Sequence, residues 1–330
     1  MIHASDARAI EMNFYASREF LDAAAAVHFA GRTTSIENVR IGDDVLRLLV
    51  VDGRPITKLL FLDVHQPLAP AEIDGPVRQG RYARAVVRGV IEAAAWQPSA
   101  FAHFDLAPFV DWSGFTSFES YREWLLSRHR GLVRDRERRW RGLGKAHGDI
   151  VFTANDPADD VLDAARRWKS PQLRLAGHAD CFDLPQTMPF LETLRNQGHL
   201  VCSTLRAGGT LVSLWLGFIH EGNWSGWIFA YDPAFHRYSV GHCLVMGMLE
   251  ESFARGHREF DFSEGAEDYK LMYATHGRLL GEIGRPPLTR SAVVLAKHAF
   301  ERVGLLATVQ GIKRQTAAAL RRQAPLLERS

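Results

Sequence analysis

Cysteine is scarce in this chain of 330 residues: Cys181, Cys202 and Cys243 are odd in number, far apart and outside any C-x-x-C spacing. That excludes a disulfide scaffold and a cysteine-based metal knuckle, and it points to a reducing compartment. Long apolar runs are missing as well, since none approaches the roughly 18 residues that a membrane-spanning helix requires. The start, Met1-Ile2-His3-Ala4-Ser5-Asp6, lacks a basic segment followed by an apolar block, so the expected location is cytoplasmic. A large net charge is absent too, at +2, and with 46% hydrophobic and 24% charged residues the composition excludes disorder and low-complexity structure.

The charge is nevertheless uneven. Nine Lys/Arg stand against three Asp/Glu from Arg122 to Lys145, and nine against two from Gly284 to Ser330, which leaves −11 for the remainder. The first block reads as an arginine-rich helix over Ser120 to Leu143, with Trp124, Leu125, Leu132, Val133 and Trp140 as a sparse apolar stripe. Such a helix is either solvated through internal Arg–Glu pairs or follows the phosphates of a nucleic acid or an anionic membrane surface. The second block is a basic helical tail beyond Pro286-Pro287, with Val293, Ala296, Phe300 and Val303 at helical spacing. Packing on the preceding domain is its simpler reading, and peripheral membrane contact is the other.

Periodicity predicts an α+β chain. Val45 to Asp52 and Pro55 to Asp63 are strand-like and joined by Asp52-Gly53-Arg54, a strong hairpin signal. A helical pattern over Tyr82 to Ala95 and a strand over Ala100 to Leu106, ending before Pro108, follow. Past a boundary near Lys145 the order is a strand at Ile150 and helices Ala158–Trp168 and Met188–Asn196. Strands Leu200–Leu205, Thr210–Ile219 and Trp224–Tyr231 come next, then helix Gly241–Ala254, strand Glu259–Ser263, a short helix Asp268–Ala274 and a strand Leu279–Ile283. The expected organisation is an N-terminal domain over 1–145, a second domain over 146–285 and a tail over 286–330.

Two places carry chemistry. At Tyr238-Ser239-Val240-Gly241-His242 a strand and a small-residue turn enter an apolar helix, which presents backbone N–H groups and a positive dipole end of the kind a pyrophosphate seeks. An ordinary capped helix is the plainer alternative. Further on, Phe260-Asp261-Phe262-Ser263-Glu264-Gly265 alternates so that Asp261 and Ser263 share a face and Glu264 emerges at the strand end, followed by Tyr269-Lys270. Here too a structural account is open: Asp261 could pair with Lys270, Glu264 could be a solvated turn residue, and Tyr269 could be core.

Asp261-Phe262, Gly265, Tyr269-Lys270 and Tyr273, preceded by Ser239 and Gly241, resemble the signature closing the GNAT-type domain of the CelD-like, cellulose-biosynthesis-associated acetyltransferases, related to the FemAB-type aminoacyl transferases. The resemblance spans Ser117 to Ile283, with Val240 where that family usually has proline. It implies tandem GNAT-like mixed sheets flanked by helices, and an N-acyltransferase that takes its acyl group from acyl-CoA, most simply acetyl-CoA, with no metal. The implied acceptor is an amine of an amino sugar or sugar nucleotide in cell-surface polysaccharide assembly. Ser239, Val240, Gly241 and His242 would hold the pyrophosphate, and the strand ending at Tyr231 would face the thioester. Asp261 or Glu264 would act as general base or acceptor anchor, Tyr269 would protonate the leaving thiolate or stack on the acceptor, and Lys270 would grip an anionic acceptor or phosphate. An aminoacyl-tRNA-dependent transferase acting on a peptidoglycan precursor and a non-catalytic basic binding protein are the rival readings.

Overall fold

The computed structural model describes residues 14–41, 44–56, 66–67, 71–72, 103–265 and 267–281. Helix α1 (Arg18–His28), capped by Ser17 Oγ accepting from Phe20 N, leads into an antiparallel meander of β1 (Thr34–Ile41), β2 (Asp44–Val51) and β3 (Arg54–Pro55). Asp52 and Gly53 sit at φ of 48° and 75°, so the predicted Asp-Gly hairpin is a tight turn whose twist matches its strands. β1 carries Thr34, Ser35, Glu37, Asn38 and Arg40 and so lacks the apolar alternation that announces a strand. Residues 57–63 of the second predicted strand, the predicted helix Tyr82–Ala95 and the tail over 286–330 lie outside the described residues.

Short strands β4 (Gln66–Pro67) and β5 (Ala71–Glu72) precede β6 (His103–Asp111), and a long helix α2 (Phe118–His147) follows. Next come β7 (Ile150–Thr153), α3 (Asp160–Ala176), α4 (Thr187–Asn196), β8 (Leu200–Ala207), β9 (Thr210–His220) and β10 (Asn223–Tyr231). A 3-10 turn at Pro233–Tyr238 enters α5 (Val240–Ala254), and β11 (Glu259–Asp261), α6 (Asp268–Tyr273) and β12 (His276–Gly281) complete the described chain. Strands β4 to β12 form one mixed sheet in the order β4-β12-β6-β11-β10-β9-β8-β7, with β5 also on β12. The α+β class is therefore observed. The sheet takes β6 from one side of residue 145 and β7 to β11 from the other.

Two boundaries need the largest correction: the helix expected to end at Trp168 runs on to Ala176, with Pro171 inside it, and a strand runs past its proline. The strand expected to stop before Pro108 runs on to Asp111. Pro108 lacks an N–H, but that side of β6 faces the point where β11 has already ended: Asp261 pairs with Phe109, and the next residue, Phe262, donates its N–H to the Pro108 carbonyl. No ladder bond is lost, so proline is tolerated.

β9, flanked by β8 and β10, is apolar on both faces, and packed layers cover it on both sides. On one face Val212 and Trp215 pack with Leu244, Val245, Met248 and Leu249 of α5 and with Tyr121 and Leu125 of α2. On the other, Leu214, Leu216 and Phe218 pack with Phe20 of α1, Val161 and Trp168 of α3 and Phe190 of α4. α2 begins with a reciprocal capping box between Ser117 and Ser120, and kinks at His129, whose φ and ψ are −134° and 32°. Its Tyr121 hydroxyl donates to the Tyr273 carbonyl at 2.8 Å, which ties it to α6.

Candidate functional site

The site begins where two parallel strands part. β10 and β11 pair only over Asn223–Ser225 and Glu259–Asp261. Beyond that, β10 has a bulge between Gly226 and Ile228 and continues to Tyr231 with β9 as its neighbour, whereas the chain after β11 turns toward β6: Phe262 N donates to Pro108 O and Gly265 N to Leu106 O. Among the described residues no strand pairs with the edge of Ile228–Tyr231 that faces away from β9. Ser263, at φ of 59°, closes the apex of the gap by donating its hydroxyl to the Gly226 carbonyl.

That free edge leads to the start of α5. Ser239 is the N-cap residue, at φ of 55° and ψ of 43°, and its side chain makes no capping bond. Its hydroxyl instead accepts from Arg136 Nη1 of α2 at 2.7 Å. His242 N and Cys243 N donate to the Ser239 carbonyl, whereas the N–H groups of Val240 and Gly241 find no acceptor among the described residues. Two amides at the positive end of a 15-residue helix are thus uncommitted. Val240 stands where the resembling family has proline, and the backbone gives a reason: a residue ahead of proline is held to extended conformations, while Ser239 is left-handed. Valine also supplies an N–H that proline lacks. Gly241 is required by packing, because a β-carbon there would lie 2.3 Å from Cζ of Phe229.

The predicted reacting side chains gather at the other end of the gap. Asp261 is committed on both oxygens, Oδ1 accepting from Ser263 N at 2.7 Å and Oδ2 pairing with Arg278 at 3.2 Å. Burial raises its pKa above the ordinary carboxylate value despite the Arg278 charge. Lys270, only 6% exposed, pairs not with Asp261 but with Glu267 at 3.0 Å, and donates to the Glu264 carbonyl at 2.5 Å. It therefore pins the loop that follows β11. Glu264 is exposed on that loop. Tyr269 is half-buried with its ring 6.0 Å from Phe229 and 6.3 Å from His242, and its hydroxyl makes no hydrogen bond among the described residues. Burial, with a smaller contribution from Glu267, raises its pKa further above 10.0, so it remains a proton donor across the physiological range.

Tyr231 closes β10, its ring 5.9 Å from Phe229. His242 lies on the other flank of the α5 start, with Nδ1 2.8 Å from the Tyr273 hydroxyl. Burial, helped by Arg136 and Arg139, lowers its pKa to about 3, so it is neutral at neutral pH. The pair forms the floor of an apolar groove of about 500 Å³ between α2 and α5, walled by Leu125, Trp140, Phe152 and Met246.

Two contributors are invisible in the local sequence pattern. Arg136 reaches Ser239 from a helix 103 residues earlier. Lys169, on α3, is buried enough that desolvation lowers its pKa, and it is electrostatically coupled to Glu267 and Lys270 across the sheet end. It stands between the buried Trp168 and Ser170, and nothing in its neighbours marks it out. Among the described residues no group of three or more metal-ligating side chains comes together, and no helix is long and apolar enough to cross a membrane.

Comparison with known proteins adds the following. Residues 127–271 match the sequence profile of a family described as an acetyltransferase (GNAT) domain, so this segment carries a GNAT-type acetyltransferase domain. No curated protein matches the chain. The C-terminal domain (DUF2156) of a putative lysylphosphatidylglycerol synthetase from Agrobacterium fabrum aligns over 89% of this chain and 96% of its own, at 11% identity and a TM-score of 0.42. L-PGS from Bacillus licheniformis aligns over 86% and 96%, at 12% identity and a TM-score of 0.38. A GCN5-related N-acetyltransferase from Sphaerobacter thermophilus aligns over 43% and 47%, at 16% identity and a TM-score of 0.30.

Proposed function

We propose that the GNAT-type domain over residues 127–271 transfers an acyl group, acetyl in the simplest case, from acyl-CoA to an amine. The observation that carries this reading is the continuity between the free edge of β10 and the uncommitted Val240 and Gly241 amides. A diphosphate at the helix start leaves the pantetheine arm to run along Tyr231 to Trp227, which delivers the thioester to the gap beside Tyr269.

Chemistry then needs little beyond placement. The amine lone pair attacks the thioester carbonyl, the C–S bond breaks as the tetrahedral intermediate collapses, and the departing thiolate takes a proton from the Tyr269 hydroxyl. The amine releases its own proton to a carboxylate at the mouth of the gap. Glu264, exposed on the loop, and Asp261, which serves Ser263 and Arg278 at the strand end, are the two candidate carboxylates. Lys270 and Lys169 give this mouth a cationic side that suits an acceptor bearing phosphate, such as a sugar nucleotide. The amino-sugar class itself follows the CelD-like resemblance of Asp261-Phe262, Gly265 and Tyr269-Lys270.

Calorimetric titration with acetyl-CoA, longer acyl-CoAs and tRNA tests the donor, and thiol release with amino-sugar acceptors tests the reaction. Thioester binding with acceptor-dependent thiol release is expected. Binding of tRNA alone would instead establish the aminoacyl-tRNA reading, and binding of neither would leave a non-catalytic basic protein.

A further inference from the structure

A second anion-binding feature adjoins the α5 start. Arg138, Arg139, Arg141, Gly142 and Lys145 on the last turns of α2, with Arg237 and Tyr238 of the 3-10 turn, border an open surface cavity of about 560 Å³. Five of those side chains are cationic. Asp135 pairs with Arg138 at 2.5 Å and Arg139 at 2.7 Å, but Arg141, Lys145 and Arg237 have no carboxylate partner among the described residues. The wall is built rather than loose: Arg139 Nη1 donates to the Arg237 carbonyl at 2.7 Å, and the Arg237 guanidinium lies over the Tyr238 ring at 4.6 Å. Tyr238 immediately precedes Ser239, so the cavity and the uncommitted amides of α5 are separated by a single residue.

We propose that this cavity holds the 3′-phosphate of the CoA nucleotide. The inference rests on the acyl-CoA reading and deepens it. In CoA one ribose separates the diphosphate from the 3′-phosphate. A diphosphate on Val240 and Gly241 therefore sets the second phosphate within one sugar of the helix start, where the unpaired cations are. Charge-assisted bonds from arginine and lysine are the strong class of phosphate contact. Elsewhere on α2, Arg122 is tied to Glu119 and Glu137 and Arg136 to Ser239, whereas Arg141 and Lys145 border the turn that enters α5.

The test compares CoA with 3′-dephospho-CoA by calorimetry on the full chain, in the wild type and in the Arg141→Ala, Lys145→Ala double variant. Both side chains are exposed, so the melting temperature serves as a folding control. The wild type should bind CoA about tenfold or more tightly than the dephospho form, as one or two charged hydrogen bonds dictate. The double variant should bring the two ligands within about twofold, with the dephospho affinity unchanged. Equal affinities in the wild type, or a preference that survives both substitutions, would overturn the 3′-phosphate assignment while leaving the donor reading intact. A short RNA that binds the wild type and loses binding in the double variant, with no discrimination between the two nucleotides, would reassign the cavity to nucleic acid. If neither CoA form binds, the donor reading fails and this assignment fails with it.

Discussion

Arg136 Nη1 donates to Ser239 Oγ at 2.7 Å, so the residue positioned to cap α5 is turned toward α2 instead. A serine at this position ordinarily closes one of the first-turn amides. Holding it elsewhere keeps the Gly241 amide, the second of the helix, available beside that of Val240. Arg136→Ala should release Ser239 to cap its own helix, weakening acetyl-CoA binding about five- to tenfold, the worth of one helix cap. Adding Ser239→Ala should recover part of the affinity, because no cap can then form. Calorimetry on the two variants checks this, and an additive loss would mean that Arg136 acts only through its charge.

Tyr269→Phe isolates the acid. The ring packs against Phe229 and His242 whether or not the hydroxyl is present, and that hydroxyl has no partner to strand. Turnover should fall about a hundredfold, the usual contribution of a general acid, while the CoA dissociation constant and melting temperature stay near wild type. Equal loss of kcat/KM and CoA affinity would place Tyr269 in binding instead.

Asp261 and Lys270 should separate on substitution. The Asp261–Arg278 pair is largely buried, with side chains 14% and 13% exposed, and Arg278 also serves Glu259. Asp261→Ala should cost about 1–3 kcal/mol, since the Ser263 N–H and one arm of the guanidinium lose their acceptor while Glu259 still pairs with Arg278. Lys270 shares its charge with Glu267, which is 56% exposed, so solvent screens that pair. Lys270→Ala should instead loosen the loop at Ser263 and Glu264 and lower turnover more than it lowers stability. Urea unfolding alongside steady-state kinetics distinguishes the two.

How much of this could be read from the chain follows from where each signal resides. β8, β9, β10 and α5 announce themselves because apolar runs and glycine turns are local, and their observed bounds differ from expectation by two residues or fewer. Ser239 and Gly241 were legible for the same reason: a small-residue turn ahead of an apolar helix is a pattern of neighbours. β1 was hidden by its polar surface, and the continuation of β6 by Pro108, whose harmlessness depends on β11 ending opposite it. The partners of Asp261 and Lys270 are not legible in the chain because ion pairing is settled by the fold. Arg278 arrives from β12 and Glu267 from the turn before α6. Arg136 and Lys169 enter the site from helices distant in sequence, and no spacing rule reaches that far.

Asp156 sets an acid limit on the fold. Buried at 7% exposure ahead of α3, it accepts from Ala158 N at 2.9 Å, Thr204 Oγ1 at 2.8 Å and Arg206 Nε at 3.0 Å, locking β8 to the segment that carries α3. Burial alone would raise its pKa, but these donors outweigh it and hold the carboxyl below its usual 3.8. The sign follows: with the folded pKa below the unfolded one, the unfolded chain binds the extra proton. The contribution of Asp156 is therefore complete above the unfolded value and is lost as pH falls through the folded value. Asp156→Asn should destabilise the protein by about 1–3 kcal/mol at pH 7, the cost of a buried donor set left partly unsatisfied. The gap between variant and wild type should close as pH drops below the ordinary aspartate range. Urea unfolding across that range measures it, and a gap that stays constant into acid would show that the ionised carboxylate contributes nothing beyond its shape.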